Sequence, residues 1–197
     1  MLEIIQGVQY GNGDDIFEQM FKARALVFHD RLKWEVKVDE NGFEKDQFDT
    51  EDTVYLISRN PDTGVYWGSL RIMPTTGPNM LRDIFPFLMG DQPVPSADDM
   101  WEVSRINVVV SEGQFRNKKL NLALYDLLSG FRQPSLRYGI NNYVSVFDAP
   151  RLRLFRSSGT TPEIIGVPQN IGETRCYVGM FKACAEAYVR IDEAFAL

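Results

Sequence analysis

Apolar positions along the 197 residues fall into short runs with either the helical or the strand period. "MLEIIQGV" is a strand candidate, and "NGDD" after it supplies turn and cap residues. Over residues 14–29, Ile16, Phe17, Met20, Phe21, Ala23 and Val27 recur at helical spacing, which predicts a helix with one buried face. Asp15 and Glu18 resemble a capping box at its start. Residues 32–55, "LKWEVKVDENGFEKDQFDTEDTVY", keep no period and are acidic. They predict a long ordered loop, and such loops in compact domains are usually functional.

"TVYLISRN" and "GVYWGSLRIMP", joined by a Pro-Asp turn, predict a β-hairpin. "LRDIFPFL" is a short helix or turn. "WEVSRINVVV", residues 101–110, predicts a buried strand. Over residues 117–131, Leu120, Leu124, Leu127, Leu128 and Phe131 share one stripe, the mark of an amphipathic helix. "NNYVSVF" is a strand, "APRLRLFRSSG" a helix capped by Gly159, and "TRCYVGMFK" a late strand before a helix from Ala183. Antiparallel strands come first and a βαβ unit follows. That order predicts one α/β domain over residues 1–197, a three-layer α-β-α sandwich with a mixed sheet. Ligands favour openings at the C-terminal ends of such strands.

Composition narrows the function. A 44 % hydrophobic share supports a sizeable core, and the net charge of −6 argues against a nucleic-acid partner. Two cysteines and one histidine, His29, exclude a disulfide framework and disfavour a zinc site or a His-based triad. No apolar run approaches the ~20 residues of a membrane span. The first residues lack the charged and apolar regions of a signal peptide. A cytoplasmic protein without a membrane partner is expected.

Charges in apolar segments change the picture. Arg24, Asp46, Asp49, Arg71, Glu102 and Arg105 all lie in or beside apolar runs. Singly, each reads as a solvated acid, a snorkelling arginine or a structural ion pair. Together they carry both signs, and buried charges must be paired or meet a charged ligand. A zwitterion would satisfy them. Phe28, Trp34 and Phe85 suit an adenine or a sulfonium, or else ordinary core packing. Glu102 and Arg105 pose a puzzle, because their spacing of three sends regular strand side chains to opposite faces.

These residues, in this order, resemble the signature of the acyl-homoserine lactone synthases of bacterial quorum sensing. That signature is an Arg and a Phe in the first helix, a Trp, two Asp three apart, an Arg on a strand, a Phe, and Glu-x-x-Arg on the central strand. The matching residues are Arg24, Phe28, Trp34, Asp46, Asp49, Arg71, Phe85, Glu102 and Arg105, and "YVSVFDAPRLRLFRSSG" extends the likeness to about Gly159. The resemblance implies the fold of the GNAT acyltransferases, with a partly splayed sheet and a bulge within residues 102–108. It implies transfer of an acyl group from acyl carrier protein or CoA to the amine of S-adenosylmethionine. Lactone closure then releases methylthioadenosine. No metal or cofactor is implied, since S-adenosylmethionine is a substrate.

The resemblance also implies roles. Glu102 is the candidate base, with Ser104 and Arg105 as catalytic neighbours. Arg24, Phe28, Trp34, Asp46, Asp49, Arg71 and Phe85 would bind S-adenosylmethionine. Asp46 and Asp49 either face its ammonium or sulfonium or fix an arginine. Ser145, where many members have Thr, and Phe147 would meet the acyl chain, Phe147 being a core aromatic otherwise. Arg151, Arg153 and Arg156 would dock the acidic carrier protein. "SEGQFRNKKLN" lacks the Gly-rich pyrophosphate loop of the GNAT enzymes, which fits a carrier-bound donor. Thr160 departs from the family's Trp after Gly159. Two alternatives remain: an N-acyltransferase without lactone closure, separated by methylthioadenosine release, and a non-catalytic binding domain, separated by loss of S-adenosylmethionine binding.

Overall fold

The computed structural model describes residues 1–8, 16–109 and 118–195. These form β1 (Leu2–Gln6), α1 (Ile16–Arg24), a π-helical turn (Ala25–Arg31), β2 (Val54–Arg59) and β3 (Tyr66–Pro74). Next come α2 (Met80–Asp83), a 3-10 turn (Pro86–Met89), β4 (Met100–Val108), α3 (Lys118–Ser129), α4 (Arg132–Tyr138) and β5 (Asn142–Asp148). The chain closes with α5 (Ala149–Ser157), β6 (Glu163–Ile171), β7 (Thr174–Lys182) and α6 (Ala185–Phe195). One seven-stranded sheet runs in the order β1-β2-β3-β4-β5-β7-β6. β4 and β5 are parallel, whereas β1–β2, β5–β7 and β6–β7 are antiparallel, so the sheet is mixed. The chain divides into two compact units, Met1–Arg71 with Arg105–Leu127 and Ile72–Ser104 with Leu128–Leu197.

In the first unit α1 has only nine residues, shorter than an isolated helix needs for stability in water. Packing supplies the difference. Ile16, Phe17, Met20, Phe21 and Ala23 pack with Tyr55 and Ile57 of β2 and Tyr66 of β3. Full burial of each large side chain contributes about 1.5–3 kcal/mol. All six residues of β2 are buried. On its other register Ser58 Oγ donates to Asp126 Oδ2 of α3 at 2.7 Å.

In the second unit both faces of β5 are covered. Val144 joins Leu81, Leu88, Met89, Cys176 and Val178 in one apolar cluster. Tyr143 meets Phe131 and shares a hydrogen bond with Ser135 of α4, and Ser135 bonds Tyr188 of α6. Phe147 meets Phe155 of α5 edge-on, with ring centroids 5.2 Å apart. No described helix is long and apolar enough to cross a membrane.

Three elements differ from expectation. The first helix ends at Arg24 and continues as the wider π-helical turn, where Leu32 N donates back to Val27 O. Helix α4 went unread because Pro134 interrupts its sequence, yet Pro is tolerated in the first turn of a helix. Strand β6 went unread because Gly166 and Pro168 punctuate it. Its pairing with β7 shifts register between Ile165 and Gln169, so the breakers sit in a bulge. Asp15 of the expected capping box and the loop over residues 111–117 lie outside the described residues. Gly159 follows α5 at φ 77, as its C-cap role requires.

Strand β4 answers the spacing puzzle. Its parallel register with β5 runs over Met100–Val103 against Asn142–Ser145. Two residues on, Arg105 takes φ 54, a left-handed value uncommon for a residue with a side chain. The strict alternation breaks there, within the stretch expected to bulge.

Gly179 of β7 is the seat of the Phe147 ring. A Cβ at Gly179 would lie 2.7 Å from two carbons of that ring and 2.8 Å from Pro162 Cβ. Gly179→Ala is therefore expected to destabilise the protein by about 1–3 kcal/mol, as overpacking does. A thermal melt should show the midpoint several degrees lower.

Candidate active site

The long loop before β2 is ordered by its own polar groups. Asp46 and Asp49 build a turn in which Asp49 N donates to Asp46 O, Asp46 N to Asp49 Oδ2, and Phe48 N to Asp46 Oδ1. Glu44 N donates to Phe21 O and ties the loop to α1. Glu44 also forms an isolated β-bridge with Val38. These contacts bring three acids against three arginines from α1, β3 and β4.

The six side chains alternate around a closed ring. Arg24 donates from Nε to Glu44 at 2.6 Å and forks onto Asp49 at 2.8 and 3.0 Å. Arg71 forks onto Asp46 at 2.6 and 2.8 Å, and its Nη1 lies 2.9 Å from Asp49 Oδ1. Arg105 Nη2 closes the circuit, 2.7 Å from Glu44 and 2.8 Å from Asp46. Three guanidiniums face three carboxylates, so the ring is neutral as a set. The Tyr55 hydroxyl donates to Asp49 Oδ1 at 2.9 Å.

The electrostatics follow from burial and charge. Burial alone would raise the Asp46 carboxyl, but Arg71 and Arg105 hold it below the ordinary value. Burial works the same way on Asp49 and is outweighed by Arg24 and Arg71. Burial would lower the Arg24 guanidinium, yet Asp49 and Glu44 raise it. For Arg105 burial wins over Glu44, and the value falls.

Each arginine also lies over a phenylalanine. The centroid distances are 5.2 Å for Arg24 over Phe21, 5.6 Å for Arg71 over Phe48 and 5.2 Å for Arg105 over Phe28. Phe28 stacks on Trp34, with centroids 5.3 Å apart. Arg105 thus presents a cation of the protein's own to the Phe28 face.

The second unit holds Glu102 differently. Glu102 is 1 % exposed, and its carboxylate accepts from Met80 N at 2.6 Å and Leu81 N at 2.9 Å. It anchors the first amides of α2, where orphan N–H groups favour an anion. Phe85, just past α2, packs half-buried against the Leu81, Leu88 and Val144 cluster. Ser104 is half-buried on β4. Ser145 is buried, and its hydroxyl donates to Val103 O at 2.8 Å. Phe147 is 3 % exposed among Phe155, Tyr177 and Phe181, the core-aromatic arrangement.

The arginines of α5 do not form one exposed cluster. Arg151 bonds Asp148, the cap residue of its own helix, at 2.7 Å. Arg153 and Arg156 are exposed. Among the described residues no group of three His, Cys, Asp or Glu side chains gathers to hold a metal ion.

The autoinducer synthase family model matches residues 9–191. The chain belongs to the autoinducer synthase family. Among curated relatives, an acyl-homoserine-lactone synthase of Rhizobium etli is 36 % identical over 173 residues, 86 % of this chain and 78 % of the relative. One from Ralstonia nicotianae is 32 % identical over 150 residues, covering 76 % and 73 %. Among solved structures, the CoA-dependent acyl-homoserine lactone synthase BjaI, with SAM and isopentyl-CoA, superposes with a TM-score of 0.85 at 25 % identity, covering 100 % of this chain and 90 % of that one. As an autoinducer synthase the chain is an acyltransferase of the acyl-homoserine-lactone synthase class, on the GNAT-like fold.

Of the expected residues of this autoinducer synthase, the ring gathers Arg24, Asp46, Asp49, Arg71 and Arg105, with Phe28 and Trp34 adjoining. Sequence reasoning missed Glu44, which bonds two of the arginines, and Tyr55. The available signal was position: Glu44 stands two residues before Asp46, on the same side if the segment is extended.

Removing one partner of a buried pair costs about 3–5 kcal/mol, so Asp49→Asn should lower the unfolding free energy by that order in a urea titration. Asp46 and Asp49 bind protons less readily folded than unfolded. Their stabilisation is complete above the ordinary Asp value of about 3.9 and is lost as pH falls below it through the depressed folded values. Stability measured against pH should drop below about pH 4, and by less in Asp49→Asn.

Proposed function

We propose that this synthase joins S-adenosylmethionine to a carrier-bound acyl thioester, with the ring of the first unit shaping the S-adenosylmethionine pocket. What supports the reading is that five of the six ring members stand at the signature positions and are bonded to one another. In the first step the methionyl amine, freed of a proton, attacks the thioester carbonyl. The C–N bond forms, the C–S bond breaks, and the thiol leaves. In the second step the methionyl carboxylate attacks its own γ-carbon. Methylthioadenosine leaves with the electrons of the C–S bond, which neutralises the sulfonium.

Within the ring, Asp46 is the most exposed side chain at 16 %, against 1 % for Arg24, Glu44 and Arg71. Its carboxylate is therefore the assigned contact for the substrate's cationic end. The other five, each more enclosed, hold Asp46 in place. Phe28 and Trp34, stacked beside the ring, are assigned to the adenosyl portion. Glu102, with Ser104 beside Arg105, is assigned to the proton of the attacking amine. The amides of Met80 and Leu81 fix its orientation. Ser145 and Phe147 are assigned to the acyl end.

Arg153 and Arg156 are the assigned dock for an acidic carrier protein, with Arg151 serving α5 itself. A second reading, an acyl-CoA donor, is favoured by the likeness to CoA-dependent BjaI. Purified protein should be offered each donor with S-adenosylmethionine, and products followed by mass spectrometry. Lactone and methylthioadenosine in equal amounts are expected. An acyl amino acid without methylthioadenosine would replace the reading by simple N-acylation. Arg153→Glu with Arg156→Glu should raise KM for the carrier-bound donor and leave KM for S-adenosylmethionine unchanged. Turnover with acyl-CoA alone would transfer the assignment to the second reading. Asp46→Asn should raise KM for S-adenosylmethionine about tenfold, the weight of one charge-assisted contact, and spare KM for the donor.

A further inference from the structure

The first unit buries a second polar cluster that the signature residues do not include. Tyr66, Ser69 and Asn107 are 6 %, 1 % and 3 % exposed. The Tyr66 hydroxyl lies 2.6 Å from Asn107 Oδ1 and 2.8 Å from Ser69 Oγ. Asn107 Nδ2 donates to Ser69 Oγ at 3.1 Å and to the backbone carbonyl of Arg105 at 3.0 Å. A carbonyl only accepts, so the Arg105 contact fixes which end of the Asn107 amide carries the hydrogens.

That carbonyl belongs to the residue at φ 54. A left-handed conformation is unfavourable for any residue with a Cβ, and it persists only where its surroundings over-determine it. Two groups hold Arg105 there. Its guanidinium is bonded to Glu44 and Asp46, and its carbonyl is bonded to Asn107. The backbone around Asn107 is itself placed by β3. Val109 N donates to Trp67 O at 2.8 Å, and a Cβ on Gly68 would lie 2.6 Å from Asn107 O. Gly68 therefore admits β4 at a distance no other residue allows, and Tyr66 and Ser69 lock the amide that braces the Arg105 backbone.

The geometry points to Asn107 as a positioning residue: it holds the left-handed Arg105 backbone and so aims the Arg105 guanidinium into the carboxylate ring. Its bearing on catalysis rests on the ring's assignment to S-adenosylmethionine. Asn107 touches no reacting atom and acts through Arg105.

The test uses the full chain labelled with 15N-arginine. The Arg105 Nε–H donates to Glu44 at 3.1 Å, and its resonance is assigned by its disappearance in Arg105→Lys. In Asn107→Ala this resonance should move toward the free guanidinium position and exchange faster with water. KM for S-adenosylmethionine should rise on the order of tenfold, with KM for the acyl donor unchanged. Tyr66→Phe removes one hydroxyl behind Asn107 and should shift the same resonance by less. It carries the test alone should Asn107→Ala not accumulate folded. An unmoved Arg105 resonance in either folded variant overturns the positioning role. A moved resonance with unchanged KM for S-adenosylmethionine upholds that role and counts against the ring as the substrate pocket.

Discussion

Burying a charge is tolerable only when an opposite charge and good hydrogen bonds come with it. The first unit depends on meeting that condition six times over in one ring. Arg24 ends α1, Arg71 lies on β3, Arg105 sits at the left-handed point of the β4 backbone, and the three acids come from the loop before β2. Each acid is shared between two arginines and each arginine between two acids. The loop's placement comes from this sharing together with Phe43 and Phe48, the first packed against the α1 cluster and the second buried. Lysine would not serve, because the forked contacts of Arg24 on Asp49 and Arg71 on Asp46 need the planar guanidinium. A guanidinium also lies flat on an aromatic ring, and each of the three has a phenylalanine beneath it.

Glu102 shows the other way to bury a carboxylate. Two backbone amides at the start of α2 stand where the ring has arginines. The ring stabilises its acids with mobile side chains held by many contacts. Glu102 relies on groups that belong to the main chain and cannot rotate away.

Much of this was legible in the sequence, and the misses have physical causes. Arg24, Arg71, Glu102 and Arg105 were visible because a charge in an apolar run is conspicuous. Asp46 and Asp49 were visible through the family spacing. Glu44 was not, because it lies in a segment with Glu40, Lys45 and Glu51, where an enclosed acid and solvated acids read alike. Its spacing of two from Asp46 was the one local cue, and the long-range pairing with Arg24 and Arg105 is what sets it apart. The pairwise roles of the charges were likewise invisible, since the ring links residues up to 61 apart in the chain. Strand β6 and helix α4 were hidden by Gly and Pro residues that ordinarily end elements but here occupy a bulge and a first turn. The π-helical turn at Ala25–Arg31 follows from no local propensity rule, and nothing in the text of "ALVFHDR" sets it apart from an ordinary helix.

Strand β6 stands last in the sheet order, with one side unpaired by any further strand of this chain among the described residues. An open edge is a template on which another molecule can add a strand, and proteins guard such edges against polymerisation. Pro168 withdraws one backbone donor from β6. Gly166, at φ 72, turns the backbone where a Cβ would strike the Leu88 carbonyl. The same two residues that disguise β6 in the sequence thus blunt it as a nucleus for aggregation.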